Sequence, residues 1–405
     1  MRIAFVIEHF GPRQGGAERY AWGLARWLVR QGHSMDVLTA DALDEHNGQV
    51  AIRLLDVRPN PRNTRLARFA AAVTTTLRQQ SYDVVHAFNH AWPCDVLRLG
   101  GGVHLAFEKY NALSAGNPLQ QILKALSHKL LPWYRALREN ERRQFDHPRR
   151  LFIAISQKVA DDMIRFYPSS AGRIRVIRNG FDPAEYNPDL AARQRPKTRI
   201  RFGLTPETIA LLFVSNNFRL KGLRDLIEAL PLVSKQLAKP IKLLVVGRCN
   251  SHPFERLAAH HHVQDLTRFC GHAERLLDVY AAANVLAHPS YYDAFGFVCL
   301  EAMACGLPVV VSRNSGVSEI MKDGDGSVFV DMPCPRETLA DAIIRAADPL
   351  FLERARTIHW QLAQQYPIEK NYQAVLELYE RVTKERSTFN PDGSVKNRLP
   401  ASRTA

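Results

Sequence analysis

The segment running from Val285 to Val311 constrains this chain most. An apolar run, Val285-Leu286-Ala287-His288, meets Pro289 and a polar turn that holds Asp293. A helical pattern starts near Ala294 and stops at Gly306, a residue suited to a helix C-terminus. Pro308 and the run Val309-Val310-Val311 then read as a buried strand. Strand, loop, helix and strand in this order form a βαβ unit, the building block of a parallel sheet. Asp293 stands just before the helix and Glu301 inside it. The backbone N–H groups of Ala294, Phe295, Gly296 and Phe297 are expected to be unpaired at the helix start, where they and the helix dipole attract phosphate. Gly296 allows close approach to the backbone. One carboxylate before the helix and one within it can hold hydroxyls on either side of a bound diphosphate, which is the chemistry of a nucleotide-sugar site.

The same logic recurs along the chain. Ile3 to Ile7 reads as a buried strand, followed by the glycine loop Gly11 to Gly16. A helix then carries Ala17, Tyr20, Leu24, Ala25 and Leu28 on one face and ends at Gly32, and Met35 to Leu38 is the next strand. The loop lies where open α/β sheets bind ligands, but it has neither the Rossmann glycine fingerprint nor a P-loop lysine. Further strands are expected at Asp83 to Phe88, Leu151 to Ser156 and Arg175 to Arg178. The second half continues with Ala210 to Val214, Ile241 to Gly247 and Val328 to Val330. Arg219 and Lys221 follow a strand end, placed to neutralise a leaving diphosphate. Gly316 to Glu319 is expected to start a helix, and Thr357 to Lys384 to be helical. Residues 187–200, with Pro188, Pro196 and many charges, read as a linker. The expected division is an N-terminal domain at 1–187, a C-terminal domain at 198–368, a last helix at 369–386 and a disordered tail at 387–405.

Length and charge set outer bounds. A chain of 405 residues is long enough for two domains. Its net charge of +14 points to acidic partners. Cysteines 94, 249, 270, 299, 305 and 334 are scattered and show no zinc-type spacing, so they are expected to be reduced thiols of a cytosolic protein. The apolar opening, Met1 to Ile7, is cut short by Glu8 and is no signal peptide. No uncharged run reaches a membrane-spanning length. Leu119 to Phe145 reads as a basic amphipathic helix in which Leu119, Ile122, Leu123, Leu126, Trp133 and Tyr134 alternate with Lys124, Lys129, Arg135, Arg138, Arg142 and Arg143. Such a segment can lie on an anionic bilayer.

Several of these motifs together carry a resemblance. Asp293, seven residues and Glu301 enclose Phe295-Gly296 and run on as Ala302-Met303-Ala304-Cys305-Gly306-Leu307-Pro308. Gly15-Gly16-Ala17-Glu18-Arg19, Asn179-Gly180-Phe181-Asp182, Lys221-Gly222 and Phe269-Cys270-Gly271 accompany it. The set resembles the signature of retaining glycosyltransferases of family four over about residues 1–385, and is most similar to lipopolysaccharide core glucosyltransferases that act on heptose. The resemblance implies the GT-B fold, two doubly wound Rossmann-like α/β domains facing a cleft. It implies that Asp293, where the family usually has Glu, holds the donor sugar and Glu301 the ribose. Gly15 and Gly16 would contact the donor phosphates or the acceptor. Phe269 and Gly271 would meet the base, and Ala294 to Phe297 the diphosphate. Lys221 would stabilise the leaving group together with Arg219, although the family's arginine position is occupied here by Asn216. His104 would lie near the scissile bond, with His86 in reserve. A nucleotide-sugar donor, UDP-glucose by this likeness, and a lipid-linked or oligosaccharide acceptor are implied. No cofactor and no metal are expected, the mechanism is front-face, and the enzyme is expected on the inner face of the cytoplasmic membrane.

Two metal-like motifs are discounted. Asp323-Gly324-Asp325 reads as a turn that lacks the further ligands of a calcium loop. His260, His261 and His262 are consecutive and point apart. Two other functions stay open at this stage. A nucleotide-sugar epimerase of the same fold would need acid and base carboxylates that the sequence does not offer. A basic nucleic-acid-binding protein is compatible with the charge but shows no nucleic-acid motif, and no nucleic-acid partner is expected.

Overall fold

The computed structural model describes residues 1–12, 15–42, 50–57 and 62–388. By contacts the chain divides into two compact units. The first comprises Met1–Arg98, Arg143–Phe152 and the chain from Tyr372 onward; the second comprises Leu99–Arg142 and Ile153–Asn371.

The first unit is built on a parallel sheet. Six of its seven strands stand in the spatial order Ala51–Leu54, Ser34–Thr39, Arg2–Val6, Val84–Phe88, Val96–Leu99 and Leu151–Ala154. The central strands are apolar on both faces, because helices cover both; Ile3, Ala4, Phe5 and Val6 are all fully buried. The helix Gly16–Arg30 buries Tyr20, Ala21, Leu24, Ala25, Trp27 and Leu28, a face at helical spacing. From Tyr372 the last helix, Ile368–Thr388, belongs to this unit. Tyr372 meets Tyr20 and Trp27 edge-on or tilted, and Tyr379 contacts His86. Arg98 is fully buried, with its guanidinium 3.7 Å over the Tyr20 ring.

The second unit carries another parallel sheet. Its order is Thr267–Gly271, Ile241–Val246, Ile209–Val214, Val285–His288, Val309–Ser312 and Ser327–Val330. Leu211 pairs with Leu243 on one side and with Val285 on the other. The strand order therefore reverses at Ile209–Val214, and the loops that follow it and Val285–His288 emerge side by side at the carboxyl edge. That switch point is where doubly wound sheets bind ligands.

Several elements differ from expectation. The stretch 187–200, expected as a linker, is helical: Asn187 caps the helix Pro188–Arg201 by accepting from the Leu190 amide at 2.8 Å, and Pro188 suits the first turn. The basic segment is two helices, Pro118–Leu130 and Pro132–Asp146, because Pro132 cannot continue the first. Gly316–Ile320 is a 3-10 turn, and the final helical stretch is split into Pro349–Ala363 and Ile368–Thr388 around Pro367. Of the tail expected at 387–405, Ser387 and Thr388 end the last helix, and the remainder lies outside the described residues.

Candidate active site

The switch point of the second sheet brings together Lys221, from the loop after Ile209–Val214, and Asp293, from the loop after Val285–His288. Lys221 Nζ lies 2.6 Å from Asp293 Oδ2 and donates to the Tyr292 carbonyl at 2.8 Å. Gly222 makes this approach possible. It has φ +80°, and a Cβ there would meet the Pro289 carbonyl oxygen at 2.1 Å.

His288, to which the sequence assigned no role, completes the arrangement. Its Nε2 lies 2.9 Å from the same Oδ2. Burial lowers the imidazole pKa, against the pull of Asp293, so the ring is neutral and Nε2–H donates to the carboxylate. Its Nδ1 is buried and has no partner among the described residues. Burial alone would push the Asp293 carboxyl up, but the Lys221 charge and the His288 hydrogen bond outweigh it and hold the group well below the usual carboxylate range. The signal for His288 was its place at the strand end, on the edge where ligands bind.

The helix begins later than the sequence suggests, at Phe297 rather than near Ala294, and runs to Ala304. Gly296 is its N-cap at φ +103°. Phe295 N–H is not unpaired as expected, because it donates to Asp293 Oδ1 at 3.2 Å in a local Asx turn. Among the described residues the amides of Ala294, Gly296 and Phe297 have no acceptor, so donors for an anion remain. Ala294 uses its carbonyl to accept from Ser156 Oγ at 2.7 Å. Glu301 is 3% exposed, and Tyr280 Oη donates to its Oε2 at 2.8 Å.

The other candidates are placed as follows. Arg219 is exposed and donates from Nη2 to Asn111 Oδ1 at 2.7 Å. Asn216, at the position of the family arginine, accepts from the Arg248 amide at 2.8 Å. Phe269 and Gly271 belong to the strand Thr267–Gly271, and the Gly271 carbonyl accepts from the Gly247 amide at 2.8 Å. A cavity of about 340 Å³ adjoins this turn, lined by Cys270, His272, Glu274 and Arg275 among others. His104 opens the helix His104–Leu113 and is buried, its Nε2 3.0 Å from Glu108 Oε1 and its ring stacked near Tyr134. His86 lies in the core of the first unit, stacked on Phe88 at 4.4 Å. Gly15 and Gly16 also belong to that unit, where Gly15 caps the helix Gly16–Arg30. Among the described residues no group of three or more His, Cys, Asp or Glu side chains could hold a metal ion.

Known proteins decide the family. Residues 14–185 match the family model described as Glycosyltransferase Family 4, and residues 194–350 the model described as Glycosyl transferases group 1. The chain belongs to glycosyltransferase family four. It is similar to the D-inositol 3-phosphate glycosyltransferase of Gordonia bronchialis, at 26% identity over 97% of this chain and 91% of that one. It is also similar to the lipopolysaccharide glucosyltransferase WaaG of Escherichia coli, at 25% identity over 85% of this chain and 89% of that protein. Among solved structures, WaaG superposes with a TM-score of 0.80 at 22% identity, covering 93% of this chain and 99% of that one. Anabaena HepE in complex with UDP-glucose gives 0.70 at 19% identity, covering 94% and 100%. The family-four fold is GT-B, and both parallel sheets described above belong to it.

Proposed function

We propose that the protein is a retaining, metal-independent glycosyltransferase that moves glucose from UDP-glucose to a lipopolysaccharide core or other glycolipid acceptor. The observation that carries this reading is the 2.6 Å pairing of Lys221 with Asp293 beside the donor amides of the Phe297–Ala304 helix. A cation and fixed backbone dipoles at one sheet edge stabilise a departing diphosphate without reorganisation. Lys221, Arg219 and the helix amides take that role, and Glu301, steadied by Tyr280, takes the ribose. Asp293 orients the sugar, and Phe269 and Gly271 meet the base. In this reading residues 198–368 hold the donor and residues 1–187 the acceptor, with Gly15 and Gly16 in the first loop and His104 close to the reacting bond. The likeness to WaaG and to a UDP-glucose complex supports the choice of donor and acceptor, and the family resemblance supports front-face retention.

The acceptor reading extends to the membrane. The helix Pro118–Leu130 and the residue after it expose Leu119, Ile122, Leu123, Leu126, Leu130 and Leu131. Beside them a cavity of about 420 Å³ is lined by Lys129, Arg135, Arg138, Glu139 and Arg142. Apolar side chains flanked by cations suit the headgroup boundary of an anionic bilayer, so the enzyme works peripherally on the cytoplasmic face. Among the described residues no helix is long and apolar enough to cross a membrane.

The test is a thermal-shift screen of nucleotide sugars, followed by transfer to a heptose-terminated core oligosaccharide and to inositol 3-phosphate, with the product anomer read by NMR. Stabilisation by UDP-glucose and an α-linked product on the core support the reading. Transfer to inositol 3-phosphate alone would assign another acceptor, and an inverted anomer would overturn retention.

A further inference from the structure

The cation Arg219 does not stand alone on its loop. Its Nη2 donates to Oδ1 of Asn111, a residue of the helix His104–Leu113 that is only 4% exposed. The other face of the Asn111 amide is also engaged: Nδ2 lies 3.2 Å from Nε2 of His128, which is 3% exposed on the helix Pro118–Leu130. We propose that Asn111 is a positioning residue for Arg219, held in place on its other face by His128. This inference rests on the role given above to Arg219 at the leaving diphosphate.

The polarity of the chain follows from donor and acceptor chemistry. A guanidinium has only donors, so the group facing it must accept. An asparagine amide offers its oxygen on one side and its NH₂ on the other. Because Arg219 can only donate, the oxygen faces the guanidinium and the NH₂ faces His128. Burial lowers the His128 pKa, and the neutral ring with its proton on Nδ1 accepts from that NH₂ at Nε2. The reversed amide would set donor against donor at the guanidinium.

The consequence for the reaction is orientational. An exposed arginine has several rotamers, and holding it costs entropy at each turnover. A buried, oriented acceptor settles one of the five N–H donors in advance, and the remaining donors have no partner among the described residues. They are left for the β-phosphate of the donor, where charge develops as the glycosidic bond breaks.

The experiment compares Asn111→Leu, Arg219→Leu and the double variant in the full chain, by calorimetry with UDP and UMP and by kcat and KM with UDP-glucose. Asn111→Leu is expected to weaken UDP about tenfold with UMP within twofold, and to lower kcat about tenfold. In the Arg219→Leu background the same change should add less than twofold, since there is nothing left to position. Asn111→Asp keeps the acceptor oxygen and should retain most of the activity, which loss of mere packing would not predict. Should the leucine variant fail to fold, Asn111→Ser carries the same expectation. Multiplicative effects of Asn111→Leu and Arg219→Leu, or an unchanged Asn111→Leu beside a crippled Arg219→Leu, would overturn the role of Asn111 alone. An unchanged Arg219→Leu would overturn both it and the role given to Arg219.

Discussion

Lys221 and Asp293 meet at 2.6 Å although they stand seventy-two positions apart in sequence, and His288 binds the same carboxylate oxygen at 2.9 Å. The Asp293 pKa is held below its ordinary value in the folded protein. Its contribution to stability is therefore present above the unfolded pKa of about 3.9 and is lost only as pH falls through the lower folded value. Lys221→Met leaves that carboxylate to burial, which pushes its pKa up, against the His288 hydrogen bond alone. The variant is expected to lose on the order of 3 kcal/mol at pH 7, and somewhat less at pH 4, where its unpaired carboxyl takes up a proton while the wild-type pair is still ionised. Urea unfolding at the two pH values checks this: no loss at either would refute the pairing, and an equal loss at both would refute the rise of the carboxyl pKa in the variant.

In the proposed site the two acids divide the ligand. Glu301→Ala should weaken both UDP and UDP-glucose tenfold to a hundredfold, the range for charge-assisted bonds of ~1.5–3 kcal/mol. Tyr280→Phe removes the hydroxyl that steadies Glu301 and should weaken both by a smaller factor. Asp293→Ala frees Lys221 and should leave UDP affinity undiminished while transfer falls. Calorimetry with free UDP beside transfer assays separates these outcomes. A similar loss of UDP binding in both alanine variants would show that the division is wrong.

Asp225 is expected to respond to pH in the opposite sense to Asp293. Burial raises its pKa to about 6, although Tyr291 Oη donates to Oδ1 at 3.0 Å. Its Oδ2 is buried and has no partner among the described residues. A raised carboxyl pKa penalises the ionised form, so the fold gains stability as pH falls from about 6 towards the unfolded value. Asp225→Asn should stabilise the protein by roughly 2 kcal/mol at pH 7.5 and not at pH 4. Thermal melts across this range decide it.

Turnover with UDP-glucose is expected to persist in excess EDTA, because the proposed site assigns to Lys221, Arg219 and backbone amides the charge that a metal carries elsewhere. Loss of activity on chelation, with recovery on adding magnesium or manganese, would contradict the proposed site.

Binding to vesicles should follow the exposed row on Pro118–Leu130. Replacing Lys124, Lys129 and Arg135 with Glu should weaken binding to anionic vesicles, each charge being worth on the order of 1 kcal/mol. Leu123→Ser with Leu126→Ser should weaken binding in high salt as well, where charge is screened. Flotation assays read both. Wild-type binding by folded variants would remove the membrane reading.

The fold was legible because its signals are local. Buried parallel strands such as Ile209–Val214 are continuous apolar runs, and the intervening helices announce their ends with Gly32 and Gly306. The helix Pro188–Arg201 escaped because its mean hydropathy is low and its apolar residues show almost no periodicity. What fixes it is distant: Arg195 and Arg199 donate to the carbonyls of Ala281, Ala282 and Ala283. In the site, Lys221, Asp293 and Glu301 stood out by motif spacing. Their partners did not, since Tyr280, His288 and Asn111 act through tertiary contacts that no spacing encodes. The Phe295 amide was miscounted because an Asp two residues earlier folded back on it.

The first unit draws its core from both ends of the chain. Tyr372 and Tyr379 complete the aromatic shell around Tyr20, Trp27 and His86, and the buried Arg98 lies against Tyr20 within it. On a ribosome these residues emerge hundreds of positions apart, so the first-made sheet must wait for the last-made helix. Until then the Gly16–Arg30 face stays open to water, and a chain stopped short of Tyr372 should be a client for chaperones rather than a stable fragment.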